Sequence, residues 1–226
     1  MSQLSKLQLP LELAYHRRVL FAVELLDGVT LERVSEGFSV VADGLRGTPT
    51  VNTSGLFVWL EEDFTRLRKL SIEPGLQPYE KVDREPAQVK RPLTTVELPP
   101  RVDYRFTAGI TGLRGTLFES RVAPPLTQEP VKDAEVSLRW LDDNAQWHDA
   151  RLASHSDTQS GDFVSILRLT PDEVPLLDAS GHVTVRLKAR RDVRVRTSTD
   201  FKLQQGRVTD PSKLNPRTFF WDEMLP

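Results

Sequence analysis

A five-residue phrase that occurs twice constrains the fold of this chain more than any other feature. Ser54-Gly55-Leu56-Phe57-Val58 returns as Ser160-Gly161-Asp162-Phe163-Val164. In each copy a polar, turn-forming stretch passes through glycine into alternating apolar residues. Glycine tolerates the positive φ of a tight turn, and the aromatic residue two positions later faces one side of the following strand. The two copies therefore predict two small β domains of related design.

Short runs of alternating apolar residues, separated by turn signals such as Asp-Gly and Pro-Gly, fill most of the chain. A turn signal about every ten residues favours a β-sandwich over parallel βαβ units. One segment is ambiguous, because Phe64, Leu67 and Leu70 are spaced by three and residues 61–70 also fit a short helix. The strands predicted from alternation cover residues 18–26, 38–42, 56–60, 68–72, 96–98, 112–118, 131–138, 147–152, 163–167 and 183–187.

Charge and cysteine content exclude several classes of protein. The 30 basic and 32 acidic residues give a net charge of -2, which argues against a nucleic-acid-binding protein. The chain has no cysteine, so disulfides, thiolate zinc sites and cysteine nucleophiles are excluded. The apolar run Val19–Val23 is too short for a signal peptide or a membrane span. We therefore expect cytoplasmic synthesis without a signal peptide and no membrane insertion.

Residues 111–190 contain a series of short motifs: Gly115-Thr116-Leu117, Pro130-Val131, Ala134-Glu135-Val136-Ser137-Leu138, the polar turn from Asp157 to Phe163, and Val183-Thr184-Val185. With these motifs the segment resembles the carboxypeptidase regulatory-like domain, a transthyretin-like β-sandwich. Residues 18–75 carry a weaker echo of the same pattern. In that family the module is generally non-catalytic and serves as a folding companion, a spacer or an interaction surface, so the resemblance implies such a role here.

These patterns predict an all-β fold of two tandem Ig/transthyretin-like β-sandwich domains with extended N- and C-terminal arms. Sixteen prolines against twelve glycines favour turns, strand edges and stiff linkers over long helices. Six of the prolines fall within residues 74–100 and predict a linker. The expected division is an N-terminal arm (1–15), a first β-sandwich domain (16–80), a proline-rich linker with connecting strands (81–110), a second, carboxypeptidase regulatory-like domain (111–200) and an aromatic C-terminal tail (201–226).

Residue patterns typical of catalysis or metal binding are weak or missing. The one local group of metal-ligating residue types is His148 and His155 with Asp149 and Asp157, and a solvated loop is favoured over a zinc or calcium site. The chain has no Gly-x-Ser-x-Gly nucleophile motif, no phosphate-binding loop and no dinucleotide fingerprint. We therefore expect no enzyme, no cofactor and no metal.

Both ends of the chain carry candidate partner-binding residues. Leu7, Leu9, Leu11 and Leu13 are spaced by two, which fits an extended arm that packs on its own domain or on a neighbouring subunit. Near the other end, Phe219-Phe220-Trp221 places three aromatic residues in a row. Three adjacent aromatics cannot all enter one small core, so we expect at least one to meet the first domain or a partner chain.

The basic stretch from Arg186 to Arg196 allows three interpretations. Arg190, Arg194 and Arg196 share a strand-like alternation that would suit an acidic protein partner. The favoured interpretation is an edge strand that charge protects against aggregation, and a nucleic-acid surface is the least favoured.

The tryptophans Trp140 and Trp147 also allow two interpretations. They would stack on sugars if both were exposed, although tryptophan in a sandwich core is commoner.

Two functions follow from the sequence. The first is a non-catalytic structural or adaptor protein in a multi-subunit assembly, with other subunits or further copies of itself as partners. By analogy, a bacterial phage-tail-like particle that is later exported or released is such an assembly. The alternative is a carbohydrate- or peptide-binding β-sandwich module that uses Trp140 or Trp147.

Overall fold

A computed structural model of the chain describes residues 19–60, 66–121, 127–209 and 218–226. Within these residues the protein is all-β, with eighteen strands and two short 3₁₀ helices at Pro86–Gln88 and Trp221–Glu223. The strands form several sheets that enclose apolar side chains, as in a β-sandwich. No helix in the described part of the chain is long and apolar enough to cross a membrane.

The N-terminal half, residues 19–110, contains eight strands in two sheets. The first sheet is centred on β1, which pairs in parallel with β8 on one side and antiparallel with β5 and β2 on the other, while β4 extends β5. The second sheet has the order β3-β6-β7. The strands are β1 (Val19–Asp27), β2 (Arg33–Val34), β3 (Ser39–Asp43), β4 (Thr50–Val51), β5 (Phe57–Leu60), β6 (Lys69–Glu73), β7 (Val82–Arg84) and β8 (Leu93–Leu98).

The C-terminal half, residues 111–226, contains ten strands in two further sheets. In one, β10 and β14 are central, with β11 and β12 beside β10 and with β15 and β16 beside β14. In the other, β9 lies between β13 and the short strands β17 and β18. The strands are β9 (Thr111–Phe118), β10 (Glu135–Leu141), β11 (Trp147–Asp149), β12 (Ser154–His155), β13 (Asp162–Leu167), β14 (His182–Arg191), β15 (Arg194–Thr197), β16 (Phe201–Gln204), β17 (Val208–Thr209) and β18 (Thr218–Phe220).

Each half encloses its own hydrophobic cluster. In the N-terminal half, β1 and β5 contribute Phe21 and Trp59, whose rings stack with centroids 4.6 Å apart. In the C-terminal half, Leu138 and Leu187 are opposite each other on β10 and β14, and both are fully buried. In β10 and β14 every second side chain lies in a core. The strands predicted from alternation are confirmed, except that the one predicted at 131–138 begins only at Glu135 and the one predicted at 147–152 ends at Asp149.

Residues 81–110, expected to be a proline-rich linker with connecting strands, include two strands of the N-terminal half, and the strand predicted at 96–98 is confirmed within β8. Both β7 and β8 belong to the sheets of the N-terminal half, and Val82, Val96 and Leu98 are buried in its cluster. Prolines misled the prediction because they lie at the ends of these strands. The parallel pairing of β8 with β1 brings together residues about seventy positions apart, and no local pattern signals such a pairing.

The ambiguous segment 61–70 falls partly outside the described residues, which omit 61–65. Its last two residues, Lys69 and Leu70, begin β6 and pair with Asp43 and Ala42 of β3. The end of the segment is therefore a strand, as the favoured interpretation predicts.

The repeated phrase forms nearly the same turn twice. Before each glycine, the side-chain oxygen of Asn52 or Asp157 accepts hydrogen bonds from two backbone N–H groups of its own turn, at 2.8–3.0 Å. The glycine N–H then donates to the carbonyl of the same Asn or Asp, at 2.9 Å in both turns. Gly55 and Gly161 have φ of 77° and 73°, values that L-residues with a Cβ adopt only at a cost. After these turns, Phe57 packs in the cluster of the N-terminal half and Phe163 in the cluster of the C-terminal half.

The two halves pack directly on each other along β13 and the residues before β12. Leu152 and Ile166 belong to the C-terminal half but are buried in the cluster of the N-terminal half. Beside them the Arg168 guanidinium donates to the Gly28 carbonyl and to the Glu97 carboxylate, both at 2.6 Å. We call this contact the joint. The joint explains why β13 is buried on both faces, because one face packs within the C-terminal half and the other packs against the N-terminal half.

Candidate functional site

The basic stretch runs along β14 and β15, where cross-strand and neighbouring carboxylates neutralise most of it. Arg190 pairs with Glu135 directly opposite on β10. Like charges on one sheet face repel each other unless carboxylates lie between them. These arginines and the lysine therefore form ion pairs on the surface of the sheet. The other pairs are Arg186 with Asp200, Lys188 with Asp149, and Arg191 with Glu119.

Arg196 turns toward the inside of the molecule and holds the C-terminal segment. Its guanidinium donates to the Trp221 carbonyl at 2.6 Å and lies 5.4 Å from the centre of the Trp221 ring. Arg191 lies 5.0 Å from the same ring. Two cations beside one buried indole give favourable cation–π contacts. Arg196 thus fixes the fold of its own chain.

The aromatic tail also contacts its own C-terminal half. Phe219 lies 6.0 Å from Phe163 and 5.6 Å from Phe201, between ring centres. Phe220 is buried and packs near Phe118, with its own ring under the Arg121 guanidinium at 4.5 Å. All three members of the tail therefore have partners within the chain, which removes the reason for expecting one of them to meet another surface.

An ion pair closes the outer side of this segment. Arg121 donates to the Glu223 carboxylate at 2.9 Å. That contact holds the pKa of Glu223 below its usual range and raises the pKa of Arg121. Both side chains are more than half exposed, so the pair contributes little to stability.

The exposed part of this region is the edge of β15. Val193, at the tip of the β14–β15 hairpin, is 94% exposed, and Val195 and Leu225 are 40% and 59% exposed. Leu225 pairs with Thr197 through two backbone hydrogen bonds of 2.7 and 2.8 Å. Because cross-strand neighbours and alternate residues share a face, Val195 and Leu225 project on the same side of the sheet. We call Val193, Val195 and Leu225 the β15 edge.

The backbone at this edge is open. Thr197 directs its N–H and carbonyl away from β14, toward Leu225, and in an antiparallel strand these directions alternate by residue. The N–H and carbonyl of Val195 therefore also point outward, and among the described residues no neighbouring strand meets them. Arg194, beside Val195, is exposed and has no ion-pair partner in the described part of the chain. Within the described residues, the edge thus combines unpaired backbone groups, apolar side chains and one positive charge without an ion-pair partner.

Of the other predicted contact residues, Leu7, Leu9, Leu11 and Leu13 lie outside the described residues.

Trp140 is a core residue, as the favoured interpretation predicts, and the alternative of an exposed platform is wrong for it. This side chain is 3% exposed, belongs to the cluster of the C-terminal half and stacks on His148, with centroids 4.8 Å apart. Trp147 is half-buried, and the Arg186 guanidinium lies 4.1 Å from the centre of its ring. Trp140 therefore presents no exposed ring face of the kind that stacks on sugars, and one face of the Trp147 ring is covered by Arg186.

The histidine–aspartate group from the sequence is separated in the structure. His148 contacts Asp142 at 2.8 Å, whereas His155 contacts Glu80 of the N-terminal half at 2.7 Å. No group of three or more His, Asp or Glu side chains that could hold a metal ion occurs within residues 19–60, 66–121, 127–209 and 218–226.

Sequence reasoning found the arginines and the aromatics but missed that they bind one another. It also overlooked Val193, Val195 and Leu225. A signal for this edge was present in the sequence, since Val193 and Val195 alternate with Arg194 and Arg196.

Comparison with protein-family models, curated proteins and solved structures finds no match to this chain.

Proposed function

We propose that the protein is a non-catalytic structural or adaptor component of a multi-subunit assembly, and that it binds an extended segment of a partner subunit along the β15 edge. In this proposal the chain comprises two tandem Ig/transthyretin-like β-sandwich domains, the second of the carboxypeptidase regulatory-like kind. A particle of the phage-tail-like type, assembled in the cytoplasm and released, is the kind of assembly in which it would act.

The open backbone of Val195 carries the proposal. An unpaired edge with exposed apolar side chains invites another strand, and natural sheets usually block such edges with charge, proline or a covering segment. Here Val193 and Val195 are exposed at the edge. A partner segment that pairs with Val195 would lie beside β15 in line with Leu225, on the side away from β14, and would run antiparallel to β15.

Charge indicates what the bound segment contains. Most cations of β14 and β15 already have carboxylate partners, whereas Arg194 has none among the described residues. A segment that alternates aliphatic residues with an acidic residue would satisfy both the apolar face and Arg194.

The test replaces Val195 by proline. Proline removes the outward N–H that strand addition needs, but it leaves the hydrogen bonds of Arg194 and Arg196 to β14. Val51 gives a matched control. Val51 is 48% exposed on the edge strand β4. The N–H of the next residue, Asn52, donates to the Leu56 carbonyl, so the Val51 N–H points away from β5.

We expect the wild-type protein and Val51→Pro to co-purify with the same partner from the native host, and Val195→Pro to lose it. Circular dichroism shows whether each variant is folded, and mass spectrometry identifies the partner. Equal recovery with folded Val195→Pro and with wild type would contradict strand addition at this edge.

A further inference from the structure

The β15 edge leaves room for a short strand of defined pattern. Thr197 already directs its outward N–H and carbonyl to Leu225, so a strand antiparallel to β15 has room beside Val195, Arg194 and Val193. Side chains directly opposite each other in an antiparallel pair share one face of the sheet. The edge therefore favours an aliphatic residue opposite Val195, an acidic residue opposite Arg194 and an aliphatic residue opposite Val193.

The N-terminal arm, residues 1–15, carries this pattern in Leu11-Glu12-Leu13. Elsewhere in the chain the same pattern occurs at 23–25, 96–98, 134–136 and 177–179. The first three of these bury both aliphatic residues in the hydrophobic clusters, and in the fourth Asp178 pairs with Lys202. The arm is therefore the best match within this chain to the open edge.

The register that places Glu12 opposite Arg194 also accommodates Pro10. In this register Leu11 is opposite Val195, and each offers its N–H and carbonyl to the other. Because these directions alternate by residue, the Pro10 nitrogen, which carries no hydrogen, points away from β15. With another of the arm's alternating leucines opposite Val195, the residue opposite Arg194 would be Gln8, Pro10 or Ala14. Charge therefore selects one register.

One row of residues crosses the sheet from the N-terminal half to the β15 edge. The consecutive partners in β12, β10, β14 and β15 are His155, Glu135, Arg190 and Val195. The ring of His155, at one end of the row, contacts Glu80 of the N-terminal half at 2.7 Å. Strands lie about 4.8 Å apart, so Val195, at the other end, is about 14 Å away from His155. The β15 edge is therefore on the side of this sheet away from the N-terminal half.

The arm of the same chain leaves the N-terminal half far from this edge. The strand β1 runs from Val19 toward the joint, where the Gly28 carbonyl accepts a hydrogen bond from Arg168. This strand is nine residues long, which puts Val19 about 26 Å from its other end. From Leu13 to Val19 the chain spans at most about 21 Å. Leu13 of the same chain therefore falls short of the joint, and the β15 edge lies beyond it.

We propose, building on the function proposed above, that the segment bound along the β15 edge is residues 11–13 of a second copy of this chain. Glu12 then pairs with Arg194, while Leu11 packs beside Val195. Because the arm and the edge are different surfaces, the contact can repeat from copy to copy. The short pairing buries little area, so one contact is weak, and repetition in an assembly strengthens it.

Paramagnetic relaxation enhancement in NMR spectra measures such a weak contact between copies. The chain has no cysteine, so Gln8→Cys provides a single site for a nitroxide label beside the pairing residues. This spin-labelled protein, mixed with ¹⁵N-labelled wild-type protein that carries no nitroxide, should lower the intensity of the Arg194 and Val195 amide signals. The amide signal of Val51, on the edge strand β4, should keep its intensity.

A charge exchange tests the register. Adding Glu12→Lys to the spin-labelled copy should abolish the signal loss, because the lysine would lie opposite Arg194. The loss should return when the ¹⁵N-labelled copy carries Arg194→Glu. Glu36→Lys makes the same change of net charge at an exposed position of the N-terminal half, and it should leave the signal loss as in the unmodified pair.

Three results would overturn the assignment of the arm: no signal loss in the mixture, a loss that appears only when nitroxide and ¹⁵N are in the same copy, or a loss that survives Glu12→Lys. The second of these would assign the arm to its own chain. The co-purification test with Val195→Pro decides the proposed function separately, because it reports any segment that pairs with β15.

Discussion

At the scale of single residues, glycines with positive φ fix the turns of this protein, and their surroundings differ in a way that can be measured. Gly161 and Gly181 have almost the same φ, 73° and 74°. A Cβ on Gly161 would lie 2.5 Å from the Leu117 carbonyl oxygen, whereas a Cβ on Gly181 would meet nothing within 4 Å. Backbone conformation is therefore common to both sites, and steric contact is present at only one.

We expect Gly181→Ala to lower the free energy of unfolding by about 1 kcal/mol, the cost of a left-handed conformation for alanine. Gly161→Ala should lower it by at least about twice as much, because the new methyl group also displaces β9. Urea unfolding followed by tryptophan fluorescence gives both values. Equal losses would mean that the close approach to Leu117 does not exist in solution.

At the scale of elements, the C-terminal segment is part of the core rather than a free tail. Trp221 is 4% exposed and lies with Met224 in the cluster of the C-terminal half, held there by Arg196. Truncation of residues 208–226 would remove this core packing as well as any contact surface. Point substitutions are consequently the informative way to probe binding in this region.

Trp221→Ala should destabilise the protein by about 3–5 kcal/mol, the usual effect of deleting a buried tryptophan. Leu225→Ala, in the same segment but 59% exposed, should change stability by no more than about 0.5 kcal/mol. Chemical denaturation measures both. A Trp221→Ala effect as small as that of Leu225→Ala would place the segment outside the core.

Local pattern was enough to predict the central strands and not enough to predict their long-range partners. Alternation in β10 and β14 follows from one buried and one outward face, and the sequence shows it directly, whereas β1 and β5 are recognisable as apolar runs. The role of β8 was hidden because its parallel partner β1 is distant in sequence.

The candidate site was predictable only in part, because its charges and rings are used within the chain. A run of arginines looks the same in sequence whether it meets a partner or a neighbouring carboxylate. The pairing of Arg190 with Glu135 and the contact of Arg196 with Trp221 depend on strand register, which fixes cross-strand neighbours only after folding.

At the scale of the whole molecule, the joint makes the two halves energetically dependent on each other. Ile166 is 2% exposed; it belongs to one half but packs in the hydrophobic cluster of the other.

Differential scanning calorimetry at pH 6 should therefore show one unfolding transition for both halves, with equal calorimetric and van't Hoff enthalpies. Ile166→Asp should split it into two, because a buried unpaired carboxylate opens the joint, whereas Ile166→Val should keep a single transition at a slightly lower temperature. Two transitions in the wild type would show that the halves unfold independently.

The most direct measurement of the proposed function is hydrogen–deuterium exchange at the Val195 amide, in the isolated protein and in the assembly recovered from its native host. The account predicts fast exchange in the isolated protein, because this N–H points outward from an open edge, and strong protection in the assembly. The Val51 amide, which also points outward from an edge strand, should exchange fast in both states. A Val195 amide that exchanges equally fast in the assembly would contradict the binding of a partner strand at β15.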